Sequence, residues 1–201
     1  MKELMYEWKK FLSTSILKEV KPKGNYSYSY TENVVNLIKK HEGFRKFPYQ
    51  NPGDRPTIGY GTTVFISNDG KKRVDVKLDN KLSITEQQAD SYLRNYLNHV
   101  VMPSLNAYLG HTTLNSNQVD AIVSIMYNKG NTKFLNSPIF TTLNKNPNDP
   151  AIKQLILNDA ANKPPGIMKR RQEEASLYFL EGYEDSASKE SRQLPAAQSS
   201  I

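Results

Sequence analysis

The chain has 201 residues, of which 37% are hydrophobic, and its formal net charge is +7, from 27 basic and 20 acidic side chains. This length suits one domain, or two small lobes that share a core. The absence of cysteine excludes disulfides and thiolate zinc sites, and the absence of an apolar run of roughly 18 residues argues against a transmembrane segment.

The first part of the chain has the pattern of a separate segment. Residues 3–18 have the spacing of a short amphipathic helix, and a linker with Pro, Gly and Lys follows. We therefore treat residues 1–24 as a separate N-terminal segment. Two interpretations stay open: a helix packed on the main domain, and a helix that docks on a partner or a membrane surface. The predicted main domain is 25–183. Residues 184–201, rich in Ser, Gln and charge, are predicted to be a disordered tail.

The main domain begins with a helix and continues into a short β-region. A helix is predicted over 31–41, with its first residue, a threonine, as N-cap. Between residues 47 and 78, Pro and Gly recur, and Asn68-Asp69-Gly70 is a hairpin turn signal between the β-prone runs 62–67 and 71–77. We therefore expect two or three strands.

The rest of the domain has the pattern of a helical bundle. Helices are predicted to begin at Thr85 and Asn115, each followed by Gln in a capping box, at Asp149-Pro150, and over 167–180. The order of helix, hairpins and bundle predicts an α+β fold of two unequal lobes, with a ligand cleft between them. The apolar stripe of the helix after Thr85 comprises Tyr92, Leu93, Tyr96, Leu97 and Val100.

Several kinds of site lack their motifs. There is no G-x-S-x-G elbow and no H-E-x-x-H sequence, and the three histidines are not spaced as metal ligands. Gly59-Tyr60-Gly61 lacks the lysine of a phosphate loop. No stripe of aromatic and basic residues indicates nucleic-acid binding. The sequence therefore predicts no metal, no cofactor and no nucleic-acid partner.

Glycoside hydrolysis fits the stretch from Glu42 to Gly61. The reaction needs a carboxylic acid that protonates the leaving oxygen and a second group that directs water or attacks the sugar. Glu42 stands at the end of a helix, where partial burial and the negative helix terminus both disfavour an ionised carboxylate. This pattern alone also allows a structural role, since a glutamate at a helix end is usually solvated or paired.

Four motifs follow one another along the chain. They are Glu42-Gly-Phe-Arg through Thr57-Ile-Gly-Tyr-Gly61, Ile84-Thr-x-x-Gln-Ala89, Leu114 through Gly130, and Gly166-Ile-Met-Lys-Arg170-Arg171 through Tyr178. In this order they resemble the phage-type lysozymes, the endolysins of lambdoid and T-even phages in glycoside hydrolase family 24. The resemblance covers about residues 31–183. It implies a lysozyme-like fold with a small β-hairpin lobe and a C-terminal helical bundle, here with an extra N-terminal helix.

The resemblance implies an activity and a set of site residues. The family cleaves the β-1,4 bond between N-acetylmuramic acid and N-acetylglucosamine in bacterial peptidoglycan. Glu42 matches the general acid, and Thr57 matches the threonine that helps to hold the nucleophilic water. Tyr60, Asn128 and Arg170 match substrate-binding or supporting positions. Arg170 corresponds to an arginine that pairs with the catalytic glutamate.

Asn51 departs from the family, because it occupies the position of the catalytic aspartate. An amide can neither take a proton from water nor form a glycosyl ester as a carboxylate can. Three interpretations stay open. Asp54 in the same loop is a substitute acid, or the enzyme is slow and uses Glu42, Thr57 and a water. Alternatively, the chain is a catalytically impaired relative that serves as a peptidoglycan-binding or virion structural component.

The expected partner is bacterial peptidoglycan, and a basic surface is attracted to an anionic envelope. The N-terminus lacks the apolar stretch of a secretory signal. We therefore expect a monomer that stays in the host cytoplasm until holin-dependent release to the periplasmic cell wall, or that is carried as a virion protein.

Overall fold

The computed structural model describes residues 26–180, so the predicted helix over 3–18, its linker and the tail at 184–201 lie outside the described residues. Within them the chain has the predicted α+β fold, in which a small β-lobe precedes a larger helical lobe. No helix in this part of the chain is both long enough and apolar enough to cross a membrane.

The first helix, α1 (Glu32–Glu42), begins at the predicted cap. The Thr31 hydroxyl accepts a hydrogen bond from the amide of Asn33 at 3.1 Å, which satisfies one of the free N–H groups of the first turn. Val34, Val35 and Ile38 form its buried face. Gly43 caps the end of the helix, and its positive φ of 67° turns the chain towards the β-lobe.

The β-lobe consists of two separate antiparallel hairpins rather than one sheet. The second hairpin has the predicted turn, but its strands are shorter than the predicted runs 62–67 and 71–77. Thr62 bridges back to Ile58 instead of joining the hairpin, which shortens the first run. The pairs are β1 (Arg45–Tyr49) with β2 (Thr57–Gly59), and β3 (Val64–Ile66) with β4 (Arg73–Asp75).

The connection between the lobes is a helix with a π-helical turn inside it. Helix α2 (Glu86–Tyr96) starts in the predicted capping box, Leu97–Val101 form the π turn, and α3 (Met102–Leu109) follows. Pro103 has no N–H to donate, and a wider turn before it accommodates the missing hydrogen bond. The wider turn places Val101 in the core. In the predicted stripe, Leu93 and Leu97 are buried, whereas Tyr92, Tyr96 and Val100 are partly buried.

Helix α4 is the centre of the helical lobe, and the other helices surround it. It begins in the predicted capping box at Asn115, and residues 118–126 are buried on all sides. Helices α5 and α6 are short and were not predicted, whereas α8 begins two residues before the predicted start. The bounds are α4 (Ser116–Lys129), α5 (Asn131–Leu135), α6 (Pro138–Lys145), α7 (Ala151–Asn158) and α8 (Pro165–Tyr178).

Candidate active site

Glu42 is the last residue of α1 and its carboxylate is held from the opposite side of the lobe junction. Arg170 of α8 donates from Nη1 to Glu42 Oε1 at 2.6 Å. The Glu42 side chain keeps 22% of its surface exposed, while the side chain of Arg170 keeps 2%. The arginine therefore belongs to the protein interior, and the glutamate presents a fixed carboxylate to solvent.

Two cavities meet at this carboxylate, and Glu42 and Asn128 line both of them. One, of about 400 Å³, lies between the lobes. The other, of about 480 Å³, lies against the start of α8. The first is lined also by Arg55, Gly61, Thr62, Thr63, Tyr96, Tyr127, Lys129 and Gly130. The second is lined also by Lys40, His41, Pro164, Gly166, Ile167, Lys169 and Arg170.

The segment Tyr60-Gly61 closes one side of the acid. The Tyr127 hydroxyl donates to the carbonyl of Tyr60 at 2.5 Å. Burial, and then the charge of Glu42, raise the pKa of Tyr127 far above its ordinary value, so this hydroxyl stays a donor. The Tyr60 ring is only 8% exposed and packs against Phe44. Of the two roles considered for Tyr60, its position favours support over substrate contact.

The loop with Asn51 brings that amide to Asp54. Asn51 donates from Nδ2 to Asp54 Oδ2 at 3.1 Å, and both residues are exposed. Burial, followed by the charges of Glu42 and Asp54, raises the pKa of Tyr49. Thr57 starts β2, and its hydroxyl donates to the carbonyl of Arg55 at 2.9 Å.

Behind Glu42, charged side chains alternate in sign through the helical lobe. Arg170 also donates from Nε to Glu174 Oε1 at 3.0 Å, and Arg171 donates from Nη1 to Glu174 Oε2 at 2.5 Å. Arg171 Nε donates to Asp159 Oδ2 at 2.9 Å, and Asp159 also pairs with Lys129. We call this series the ion chain, and its members in order are Glu42, Arg170, Glu174, Arg171, Asp159 and Lys129.

The ion chain also reaches the second polar residue of the cavities. Arg171 donates from Nη2 to Asn128 Oδ1 at 2.9 Å. This contact fixes which end of the Asn128 amide points away from Arg171, because only the oxygen can accept. The side chain of Asn128 therefore offers its NH₂ group to a ligand, while Glu42 offers a carboxyl group.

Arg170 and Asn128 were predicted to belong to the site, and the structure places both beside Glu42. Glu174 and Asp159 were not predicted as neighbours of the site. The available signal was the spacing of Glu174, three and four residues after the two arginines on one helix, which lets a carboxylate meet both. In the sequence this stretch has the appearance of a solvated charged face.

Comparisons with known proteins cover the whole of this site. A profile of the phage lysozyme family matches residues 39–174. The endolysin of Acyrthosiphon pisum secondary endosymbiont phage 1 is 34% identical over 154 residues, covering 74% of this chain and 96% of that protein. The endolysin of Salmonella phage P22 is 29% identical over 150 residues, with coverages of 74% and 97%. The solved endolysin from Escherichia coli O157:H7 phage FAHEc1 matches with a TM-score of 0.62 and 28% identity, covering 79% and 98% of the two chains.

Proposed function

Because this chain belongs to the phage lysozyme family and is thus a glycoside hydrolase of the muramidase class, we propose that Glu42 is the general acid of its reaction. The bond cleaved is the β-1,4 bond between N-acetylmuramic acid and N-acetylglucosamine in peptidoglycan. Glu42 protonates the glycosidic oxygen of the leaving sugar, and a second group on the other side of the sugar ring completes the hydrolysis.

The observation that carries this proposal is the fixed position of the Glu42 carboxylate. It is held by Arg170 at 2.6 Å and is at the same time open to the cavity between the lobes. A general acid must reach the leaving oxygen in a defined geometry, and a bond to a buried arginine provides that geometry. Gly61 leaves room beside the carboxylate, and the donating hydroxyl of Tyr127 is close by.

We propose that Asp54 supplies the second carboxylate, with Asn51 as its support. The bond from Asn51 Nδ2 to Asp54 Oδ2 orients an acid that is otherwise exposed. The loop that contains Asn51 and Asp54 joins β1 to β2, and β1 begins three residues after Glu42. Thr57 matches the family's threonine at this position, and we propose that it helps to hold the attacking water.

Release of soluble muropeptides from purified peptidoglycan tests both acids. We expect Glu42→Gln to lower the rate by about a hundredfold or more, which is the usual contribution of a general acid. Asp54→Asn should reduce the rate to a similar extent. In the Asp54→Asn background, Asn51→Asp should restore much of the activity, because it returns a carboxylate to the family's own position. The anomer released first distinguishes inversion from retention.

Other results would select the remaining interpretations. A rate unchanged by Asp54→Asn would leave Glu42, Thr57 and a water as a slow catalytic set. An inert wild type that gains activity through Asn51→Asp would indicate an impaired relative that acts by binding peptidoglycan or as a virion component. Equal rates for wild type and Glu42→Gln would overturn the role of Glu42.

For delivery, we propose that the protein acts on the cell wall as a monomer after holin-dependent release from the host cytoplasm. The curated relatives that it matches carry the name endolysin, which supports this route over the virion-associated one. Sedimentation of purified particles distinguishes the two. Copurification of the chain with particles would favour the virion route, and its absence from particles together with lysis in the presence of a pore would favour release.

A further inference from the structure

We infer that Glu174 is a positioning residue for this reaction: it sets the guanidinium of Arg170 on Glu42 and that of Arg171 on Asn128. The inference rests on the proposed role of Glu42 as general acid. Glu174 itself does not reach the cavities, since it is 0% exposed and lies on the inner face of α8. It acts through the two arginines.

Both oxygens of the Glu174 carboxylate accept hydrogen bonds from buried side chains. Oε1 accepts from Arg170 Nε at 3.0 Å and from the Ser124 hydroxyl at 2.6 Å. Oε2 accepts from Arg171 Nη1 at 2.5 Å. Burying a carboxylate is costly unless it is paired and hydrogen-bonded, and this one is both. Its two oxygens thus have three hydrogen-bond donors, which hold the carboxylate in one orientation.

The shape of a guanidinium transmits this orientation to the cavities. Its five donors lie in one rigid plane, so fixing one edge decides where the other edges point. With Nε on Glu174 and Nη2 on the Ser124 carbonyl at 3.2 Å, Arg170 directs Nη1 at Glu42. With Nη1 on Glu174, Arg171 directs Nη2 at Asn128. One buried carboxylate thus aligns both the proposed acid and the amide beside it.

The negative charge of Glu174 also offsets the positive charge of Arg170. This matters because Glu42, which Arg170 contacts, must hold a proton to act as the general acid. Without Glu174, the full positive charge of Arg170 would act on Glu42 and favour the ionised carboxylate, which has no proton to give. The tyrosines that face Glu42 from β1 and α4 have raised pKa values and stay neutral. Titratable or charged groups surround Glu42 on five elements and a loop. They are Arg170 and Lys169 from α8, Tyr127 and Lys129 from α4, Tyr96 from α2, Tyr49 from β1, Arg55 from the β-lobe loop, and Lys40 and His41 from α1.

The test is the pH dependence of muropeptide release by Glu174→Gln and Glu174→Asp. Glutamine keeps the shape and removes the charge, so we expect the alkaline limb of the rate profile to move towards acid by on the order of one pH unit. Aspartate keeps the charge but is too short to hold both arginines. We expect it to leave the limb in place and to lower kcat roughly tenfold through misalignment.

Two control variants separate positioning from simple loss of stability. Ser124→Ala removes a neutral donor from the same carboxylate oxygen, and Asp159→Asn removes the other charged partner of Arg171. Both should lower the thermal midpoint and leave the alkaline limb where it is. A shift of the limb in Asp159→Asn as large as in Glu174→Gln would overturn the inference, because it would assign the effect to the ion chain as a whole.

The remaining outcomes are equally decisive. The positioning role would be overturned if the alkaline limb of the rate profile of Glu174→Gln lay at the same pH as that of the wild type. It would also be overturned if Glu174→Asp had the kcat of the wild type. If Glu174→Gln does not fold, the kcat of Glu174→Asp decides alone. Activity that persists in Glu42→Gln would instead overturn the proposed function. An inactive Glu42→Gln beside unaltered Glu174 variants would overturn this inference only.

Discussion

At the scale of the residue, Gly61 shows how closely the backbone approaches the proposed acid. Its φ is +87°, and a Cβ atom there would lie 3.0 Å from Glu42 Oε2 and 3.3 Å from the Tyr127 hydroxyl. Glycine is thus required twice, once by the left-handed backbone and once by the space that the carboxylate occupies.

We expect Gly61→Ala to lose stability and activity together. The positive φ costs roughly 1–2 kcal/mol for an L side chain, and the new methyl group must displace Glu42 by a few tenths of an ångström. A displacement of the acid should lower kcat by roughly tenfold. Urea unfolding and muropeptide release per folded molecule measure the two effects.

Gly53→Ala is the control for the unfolding measurement alone, since Gly53 directly precedes the proposed acid Asp54. Its φ is +84°, and no described heavy atom lies within 4 Å of the added Cβ. We expect its free energy of unfolding to fall only by the roughly 1–2 kcal/mol that the positive φ costs an L side chain. If the two variants lost equal free energy of unfolding, the contact between position 61 and the carboxylate would be unimportant.

At the scale of the element, a buried aspartate and a partly buried one secure α4 in opposite electrostatic environments. Asp120 lies on α4 itself and accepts from the Thr31 amide at 2.9 Å, which ties α4 to the start of α1. Asp159 follows α7 and joins that helix to α4 and α8 through Lys129 and Arg171. Burial dominates at the first, and cationic partners dominate at the second. Their contributions to stability should therefore change with pH in opposite directions.

We expect Asp159→Asn to destabilise the protein by roughly 2–3 kcal/mol at neutral pH. This is less than the roughly 3–5 kcal/mol for breaking a fully buried pair, because the Asp159 side chain is 15% exposed. Burial acts to raise the pKa of Asp159, but Lys129 and Arg171 outweigh it and hold the pKa below its ordinary value of 3.8. The stabilisation is present above that value and is lost as pH falls through the folded-state pKa. Thermal unfolding from about pH 7 to pH 2 should show the difference between wild type and variant closing.

Asp120→Asn should show the reverse trend. Burial raises the pKa of Asp120 above its ordinary value of 3.8, against the opposing bonds from Thr31. Its contribution is then fully present below 3.8 and declines as pH rises through the folded-state pKa. An asparagine can keep the bond to the Thr31 amide, so we expect a change within roughly 1 kcal/mol at neutral pH. The free energy of unfolding of the variant, relative to that of the wild type, should rise between about pH 3 and pH 7. A fall over this range would contradict the prediction.

The elements that the sequence predicted well are those with caps and a regular period. The capping boxes at Thr85 and Asn115 mark their helix starts to the residue. The π turn was not predicted, because an inserted residue disrupts the 3.6-residue period on which the stripe was based. Helix α5 was missed because its five residues contain too few repeats of that period. Helix α6 is as long as the predicted α7 and has a signal of the same kind, a Ser137 cap before Pro138, which was not used.

At the scale of the whole molecule, motif order predicted the fold and the position of the proposed acid, but not the interior that holds it. Glu42 and Arg170 are 128 residues apart and could be joined only through the resemblance to a family. The burial of Glu174 and Arg171 has no signature in composition, since charged residues at this spacing usually face solvent. Long-range pairing decides which charged residues are interior.

The role of residues 1–24 is a separate question that deletion can answer. The family match begins at residue 39, so a docking segment should be dispensable for the reaction itself. We expect the chain without residues 1–24 to release muropeptides from purified peptidoglycan at the wild-type rate. Loss of solubility on deletion would favour the interpretation of a helix packed on the main domain.

The alternation of signs in the ion chain has a consequence for how this protein can change over time. Three acids and three bases neutralise one another, and a single neutral substitution at Arg170, Glu174 or Arg171 would break two ion pairs and leave one excess charge in the ion chain. That penalty, roughly 3–5 kcal/mol, is a large part of the stability of an ordinary domain. Interior members should therefore be replaced in oppositely charged pairs, so among descendants of this sequence an exchange at one position predicts an exchange at its neighbour.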